Sequence, residues 1–211
     1  MKKIISKTYI ISLVLFFLLV SPVVALSMET NTFDYAVKSG DSIWKICLKY
    51  QVGVSELLSV NPQVSNPDLI YPGQILRVPN LDDIKNLENE VARLVNVERN
   101  KQGLSSLKIN WQLSRIARYK SQDMIDKNYF SHTSPTYGSP FQMIKDFGMQ
   151  YTAAGENIAY GQNSASSVMT SWMNSPGHRS NILSTSYAEI GVGVAKDSAG
   201  RLYWTQMFIK R

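Results

Sequence analysis

The chain has 211 residues, 44% of them hydrophobic, a formal net charge of +6, one cysteine and two histidines. Three of its lysines and none of its acids fall in the first 25 residues, so the remainder carries only +3, too little to argue for a nucleic-acid partner. One cysteine excludes an internal disulfide, so hydrophobic cores alone must hold the fold.

Lys2, Lys3 and Lys7 precede an uncharged apolar run, Ile10 to Val20, and Val23-Val-Ala25 offers small residues for cleavage. The pattern predicts a signal peptide over residues 1–25 and a secreted product. The apolar run is short for a spanning helix, and no later segment reads as one, so no stable membrane span is expected after cleavage.

Residues 35–79 read as strand, helix, helix, strand. Tyr35 to Lys38 is the first strand, Ser39 to Ser42 a turn with capping side chains, and Ile43 to Tyr50 a helix that buries Cys47 as a structural thiol. Val54 to Ser59 is a second helix, capped by Ser55 or its neighbour and ended at Asn61-Pro62. Tyr71-Pro-Gly-Gln74 turns into a closing strand, Ile75 to Val78. A short polar joint, residues 80–88, leads to the second domain, residues 84–211. Asp82 and Asp83 open a helix to about Lys101, with Leu87, Val91, Leu94 and Val95 as its apolar stripe and Gly103 as its stop. Further helices are expected at 110–127 (Leu113, Ile116, Ala117 and Met124 inward), at 140–147 and at 165–173, the last cut by Pro176. Pro176-Gly177 reads as a turn. Ile190 to Ala195 and Leu202 to Ile209 form a hairpin across Asp197 to Gly200. Helices followed by late antiparallel strands predict an α+β layer fold.

Both histidines sit in dense motifs: His132 in Tyr129-Phe-Ser-His-Thr-Ser-Pro135, and His178 in Trp172-Met-Asn-Ser-Pro-Gly-His-Arg179. Gly155-Glu-Asn-Ile-Ala159 lies between them and Ala188-Glu-Ile-Gly-Val-Gly193 follows. Histidine titrates near neutrality and is the commonest metal ligand, so a shared His/Glu cleft is the first expectation. Trp172 is read as core, and Asn157 and Asn181 as partners of loop backbone. Tyr203 and Trp204 alternate across a strand, so one of them is buried.

Two resemblances organise these observations. Tyr35-x-Val-x-x-Gly-Asp-Ser-Ile43, Asn61-Pro62 and Ile70-Tyr-Pro-Gly-Gln-x-Leu-x-Val-Pro79 resemble the LysM module, a small βααβ unit. That resemblance implies binding to N-acetylglucosamine polymers, peptidoglycan or chitin, through Gly40, Asp41, Ser42 and Ile43 on one loop and Leu69, Ile70 and Tyr71 on the other. Residues 84–211 resemble the CAP superfamily of cysteine-rich secretory, antigen 5 and pathogenesis-related-1 proteins, and most of all its cysteine-free bacterial branch. The implied fold is an α-β-α sandwich with an open cleft lined by His132, Glu156 and His178. The second family glutamate is absent, Ser175 standing in its place, and Glu189 is the candidate substitute.

Two imidazoles and a carboxylate, His132, His178 and Glu156, suffice to ligate zinc or another divalent metal, and the same set suits acid–base work. No Gly-x-Ser-x-Gly elbow and no His-Glu-x-x-His spacing accompanies them, so the sequence does not decide whether the chain is an enzyme. The expected role is a secreted wall-associated protein that binds glycan through LysM and presents the cleft. A wall hydrolase and a structural wall or spore-envelope component are the alternatives.

Overall fold

The computed structural model describes residues 31–211; the expected signal peptide lies outside them. Strand β1 (Thr32–Ala36) pairs antiparallel with β2 (Ile75–Pro79), from Thr32 opposite Pro79 to Ala36 opposite Ile75. Pairing out to Pro79 is why β1 begins before Tyr35. Helices α1 (Ile43–Tyr50) and α2 (Val54–Ser59) lie between the strands. Tyr35, Val37, Ile43, Ile46, Cys47, Val52, Leu57, Leu76 and Val78 make the core, and burial pushes the Cys47 thiol up to about 11. Ser42 caps α1 by accepting from the Lys45 N–H at 3.2 Å. The cap of α2 is Gly53, not Ser55: Glu56 reaches back to accept from the Gly53 N–H, closing the first turn. Asn61 is buried and ties α2 to β2, its Nδ2 donating to the carbonyls of Leu57 and Arg77 at 2.7 and 2.6 Å.

The second domain contains α3 (Asp82–Lys101), β3 (Lys108–Ile109), α4 (Trp111–Asp126), α5 (Pro140–Asp146), β4 (Ala153–Tyr160), α6 (Ala165–Met173), α7 (Pro176–Ile182), β5 (Glu189–Lys196) and β6 (Leu202–Lys210). Its sheet runs β3-β5-β6-β4, with β3 parallel to β5 and the other pairs antiparallel. Along β5, Ile190, Val192 and Val194 join Val91, Val95, Val168 and Trp172 of α3 and α6 in one core. The alternate residues Gly191 and Gly193 face α4. A Cβ on Gly191 would lie 2.3 Å from the Leu113 carbonyl carbon, and one on Gly193 2.0 Å from the Arg118 nitrogen. The two glycines therefore let α4 lie backbone-to-backbone on the sheet, completing an α-β-α sandwich.

Two local expectations change, and one unassigned motif gains an element. Residues 82–88 are the first turns of α3 rather than a linker, because Leu87 and Glu88 already face the sandwich; Glu88 Oε1 sits 2.8 Å from Arg118 Nε of α4. Pro176-Gly177 opens α7 instead of turning, since proline's fixed φ and missing N–H suit a first helical turn. The Gly155-to-Ala159 motif is strand β4 itself. The domains meet without a gap: Leu81 packs on the first core and Ile84 on the second, Lys85 Nζ donates to the Tyr50 carbonyl at 2.6 Å, and Gly53 abuts Arg115 and Tyr119 of α4. No helix among the described residues is long and apolar enough to cross a membrane.

Candidate functional site

The site is assembled where α4, the loop after it and β4 meet. Lys120 and Asp123 lie three residues apart on α4, so both address the same neighbour. Lys120 is fully buried. Its Nζ donates to the Ser131 carbonyl at 2.7 Å, the His132 carbonyl at 2.8 Å and the Tyr129 hydroxyl at 3.1 Å. Asp123 accepts from the hydroxyls of Tyr129, Ser134 and Thr136. Burial pushes the Asp123 carboxyl up, but those hydrogen bonds and the Lys120 charge outweigh it and hold the group below the usual carboxylate range. Burial also lowers the Lys120 pKa. Two charged side chains of one helix thus clamp the segment Tyr129 to Thr136, and that segment presents His132.

His132 Nδ1 lies 2.6 Å from Glu156 Oε1; the imidazole is 54% exposed and the carboxylate side chain 2%. The Glu156 hydrogen bond raises the His132 pKa, opposed by partial burial. Burial raises the Glu156 pKa, opposed by the His132 bond and by Lys120. Glu156 Oε2 is buried and has no hydrogen-bond partner among the described residues. A buried carboxylate thus fixes one ring nitrogen and stabilises the protonated imidazole. Most of the ring faces solvent, so the pair can exchange a proton with a bound molecule.

His178 does not join the pair by any hydrogen bond. Asn157 alternates away from Glu156 along β4 and donates to the His178 carbonyl at 3.1 Å. Asn181 donates to the Glu156 carbonyl at 3.1 Å and to Asn157 Oδ1 at 2.9 Å, so α7 is fastened to β4 from the far side. Burial lowers the His178 pKa, and the charge of His132 lowers it further; the two imidazoles sense each other through space only. Glu189 stands apart. At the start of β5, two strands across the sheet, it accepts from Asn110 Nδ2 at 2.5 Å and lies 3.3 Å from Arg211 Nε. It braces the N-terminus of α4 and does not replace the missing family glutamate in the cleft. Ser175 occupies the N-cap position of α7 with no side-chain cap bond.

Zinc needs three or four donors converging within about 2 Å. Among the described residues no three His, Cys, Asp or Glu side chains gather to hold a metal ion. His132 Nδ1 is engaged by Glu156, and His178 supplies no third donor as the side chains stand. The arrangement fits an imidazole–carboxylate pair.

On the first domain the residues named for glycan contact divide. Gly40 is exposed in the left-handed region, at φ 83°, and Leu69 and Tyr71 are 55% and 59% exposed. Ile43 is buried and Ile70 packs on the core, so neither offers its side chain outward. Asp41 accepts from the Tyr35 hydroxyl and the Lys38 N–H, holding the turn.

Compared with known proteins, residues 92–208 match the profile of CAP, the cysteine-rich secretory protein family, and residues 35–79 that of the LysM domain. The protein YkwD of Bacillus subtilis (strain 168) is 56% identical over 122 residues, 58% of this chain and 46% of that protein. A solved extracellular protein containing an SCP domain from Bacillus anthracis str. Ames superposes with a TM-score of 0.57 at 32% identity, covering 66% of this chain and 47% of the other. The N-acetylmuramoyl-L-alanine amidase sle1 of Staphylococcus saprophyticus is 50% identical over 44 residues, 21% of this chain and 13% of the amidase. The chain spans less than half the length of each of these relatives.

Proposed function

Because the chain belongs to the cysteine-rich secretory protein family through residues 92–208 and carries a LysM domain over 35–79, we infer that it is a secreted, wall-associated bacterial protein. It is held on N-acetylglucosamine-containing glycan by the LysM domain, and it presents the His132–Glu156 pair to what lies beside that anchor. The observation that carries the reading is the LysM segment, which is 50% identical to part of an amidase named for a wall bond and keeps Gly40, Leu69 and Tyr71 at the surface.

Sedimentation of the full chain with insoluble peptidoglycan tests it. The protein is expected in the pellet, released by soluble N-acetylglucosamine oligomers, and retained more weakly in a Leu69→Asp, Tyr71→Asp double variant. A wild-type chain that stays in the supernatant overturns the anchor.

A second reading, acid–base hydrolysis of wall peptide or glycan, is favoured by one observation: an exposed imidazole held by a buried carboxylate has the form of a general base with its orienting group. New reducing ends or amino groups released from peptidoglycan by the wild type and not by His132→Ala would establish it. No release by either leaves binding as the function.

A further inference from the structure

Phe130, Tyr160 and Tyr203 belong to none of the buried cores. Phe130 is 46% and Tyr160 48% exposed, and Tyr203 is half-buried. Yet the three are ordered on one another: ring centroids are 4.7 Å apart for Phe130 and Tyr160, and 5.6 Å apart, at 24° between planes, for Tyr160 and Tyr203. Tyr160 and Tyr203 are register partners on β4 and β6. A cross-strand pair of this kind supports a sheet, but that alone does not account for Phe130, which arrives from the loop after α4.

The ridge is continuous with the imidazole–carboxylate pair. Phe130 and His132 lie two apart on the loop. Glu156 and Tyr160 lie four apart on β4, which alternation places on the same face of the sheet. Phe130 meets Tyr160, and His132 meets Glu156. The ridge is therefore joined to the pair along two paths, four residues of β4, about 13 Å of strand rise, and two residues of the loop, about 7 Å, with side chains closing both ends. A ligand touching both ends must be elongated and run along β4. The ridge itself carries no ionised group. Its neighbour Arg201 is engaged by Asp197 at 2.8 Å. Ring faces and edges with two phenol hydroxyls match a ligand that is uncharged, hydroxyl-rich and apolar on its ring faces.

We propose that Phe130, Tyr160 and Tyr203 form a second saccharide subsite, on which N-acetylhexosamine rings of wall glycan pack so that the strand runs on to His132 and Glu156. The proposal rests on the wall-glycan reading above and gives the cleft its ligand class. The LysM domain and the ridge would then hold two stretches of glycan on one chain, raising overall retention through local concentration.

The test uses the full chain and the N-acetylglucosamine hexamer. Calorimetry is expected to give two sites per chain, falling to one in Tyr160→Ser, Tyr203→Ser and also to one in Leu69→Asp, Tyr71→Asp. In the second variant the surviving site should weaken by about tenfold or more when Phe130→Ala is added. Ring NMR signals of Tyr160 and Tyr203 in the wild type should shift on titration, a readout that needs no substitution to fold. Unshifted rings with an unchanged site count in the serine variant overturn the subsite while leaving the LysM anchor standing. One wild-type site, abolished by the serine pair and untouched by the aspartate pair, overturns the anchor and leaves the subsite. Rings that shift with short-chain phospholipid micelles and not with the hexamer would also overturn the proposal.

Discussion

Replacing Gly193 with alanine tests the contact on which the rest of the site depends. The added Cβ would sit 2.0 Å from the Arg118 nitrogen, 2.1 Å from the Ala117 carbonyl carbon and 2.6 Å from its oxygen. All three are helix backbone, which cannot swing aside as a side-chain tip can. Relief to ordinary van der Waals contact requires α4 and β5 to part by more than an ångström, in an interior packed like a crystal. Alanine loses less backbone entropy on folding than glycine, which favours the variant by roughly 0.5–1 kcal/mol. Overpacking of this kind costs about 1–3 kcal/mol and occasionally more, and a clash with backbone belongs at the upper end, so a net loss of about 2 kcal/mol is expected. For a chain of this size that is a fall of about 4–8 °C in melting temperature. Calorimetric melting of the full chain, beside Gly177→Ala as a control, measures it. A Cβ on Gly177 meets nothing within 4 Å and that residue is helical, so the control should be neutral or more stable. Should Gly193→Ala melt within about 1 °C of the wild type, the backbone-to-backbone packing of α4 on β5 is not what the glycines are for.

Two further outcomes are expected. Lys120→Met keeps much of the apolar stem but leaves the Ser131 and His132 carbonyls without their donor; removing a buried, poorly solvated cation offsets part of that loss, so destabilisation of about 1–3 kcal/mol is expected, with Lys120→Arg failing to restore the wild type because its fork does not fit three convergent acceptors. In NMR titration His132 should have a pKa above the ordinary histidine value of about 6.5 and return toward it in Glu156→Gln. The folded state then binds its proton more tightly than the unfolded state, so the pair's contribution to stability is full below about pH 6.5 and is lost as pH rises through the folded pKa. The raised Glu156 pKa acts with the same sign, and a wild-type stability that rose with pH relative to Glu156→Gln across this window would refute the assignment.

The layer order and most helices were legible because each buries one face, and period alone reveals that. Leu87, Val91, Leu94 and Val95 mark α3, and the Ile190 and Leu202 runs mark the hairpin. What local pattern could not show is what depends on a distant partner. Strand β4 reads as a motif rather than a strand because Gly155, Glu156 and Asn157 have poor strand propensity; its pairing with β6 and its side-chain bonds to α7 override that. Glu189 looked equivalent to a cleft residue because sequence spacing cannot say that β6 lies between β5 and β4. Lys120 carries no motif, yet it leaves a trace in the sequence. It falls at the apolar stripe's own spacing, with Leu113, Ala117 and Met124, and a lysine there is either an error in the stripe or a buried cation with work to do.

That buried cation shows why one helix governs the site. α4 meets β5 through Gly191 and Gly193, grips the His132 loop through Lys120 and Asp123, and abuts the first domain through Arg115 and Tyr119. Apart from Phe130, which packs on Tyr160, the segment is fixed by polar bonds to Lys120 and Asp123, so its shape is borrowed chiefly from α4. The helix position in turn is set by two absent side chains on the strand below. A shift of α4 therefore moves three things at once: the carbonyls that Lys120 holds, the imidazole that Glu156 orients, and the contact with Gly53. Substitutions in the Gly-Val-Gly strand, far from any histidine, should accordingly disturb the His132 titration as well as the melting temperature. A surface change on α5, such as Gln142→Ala, removes only an exposed bond to Asp146 and should leave both unchanged.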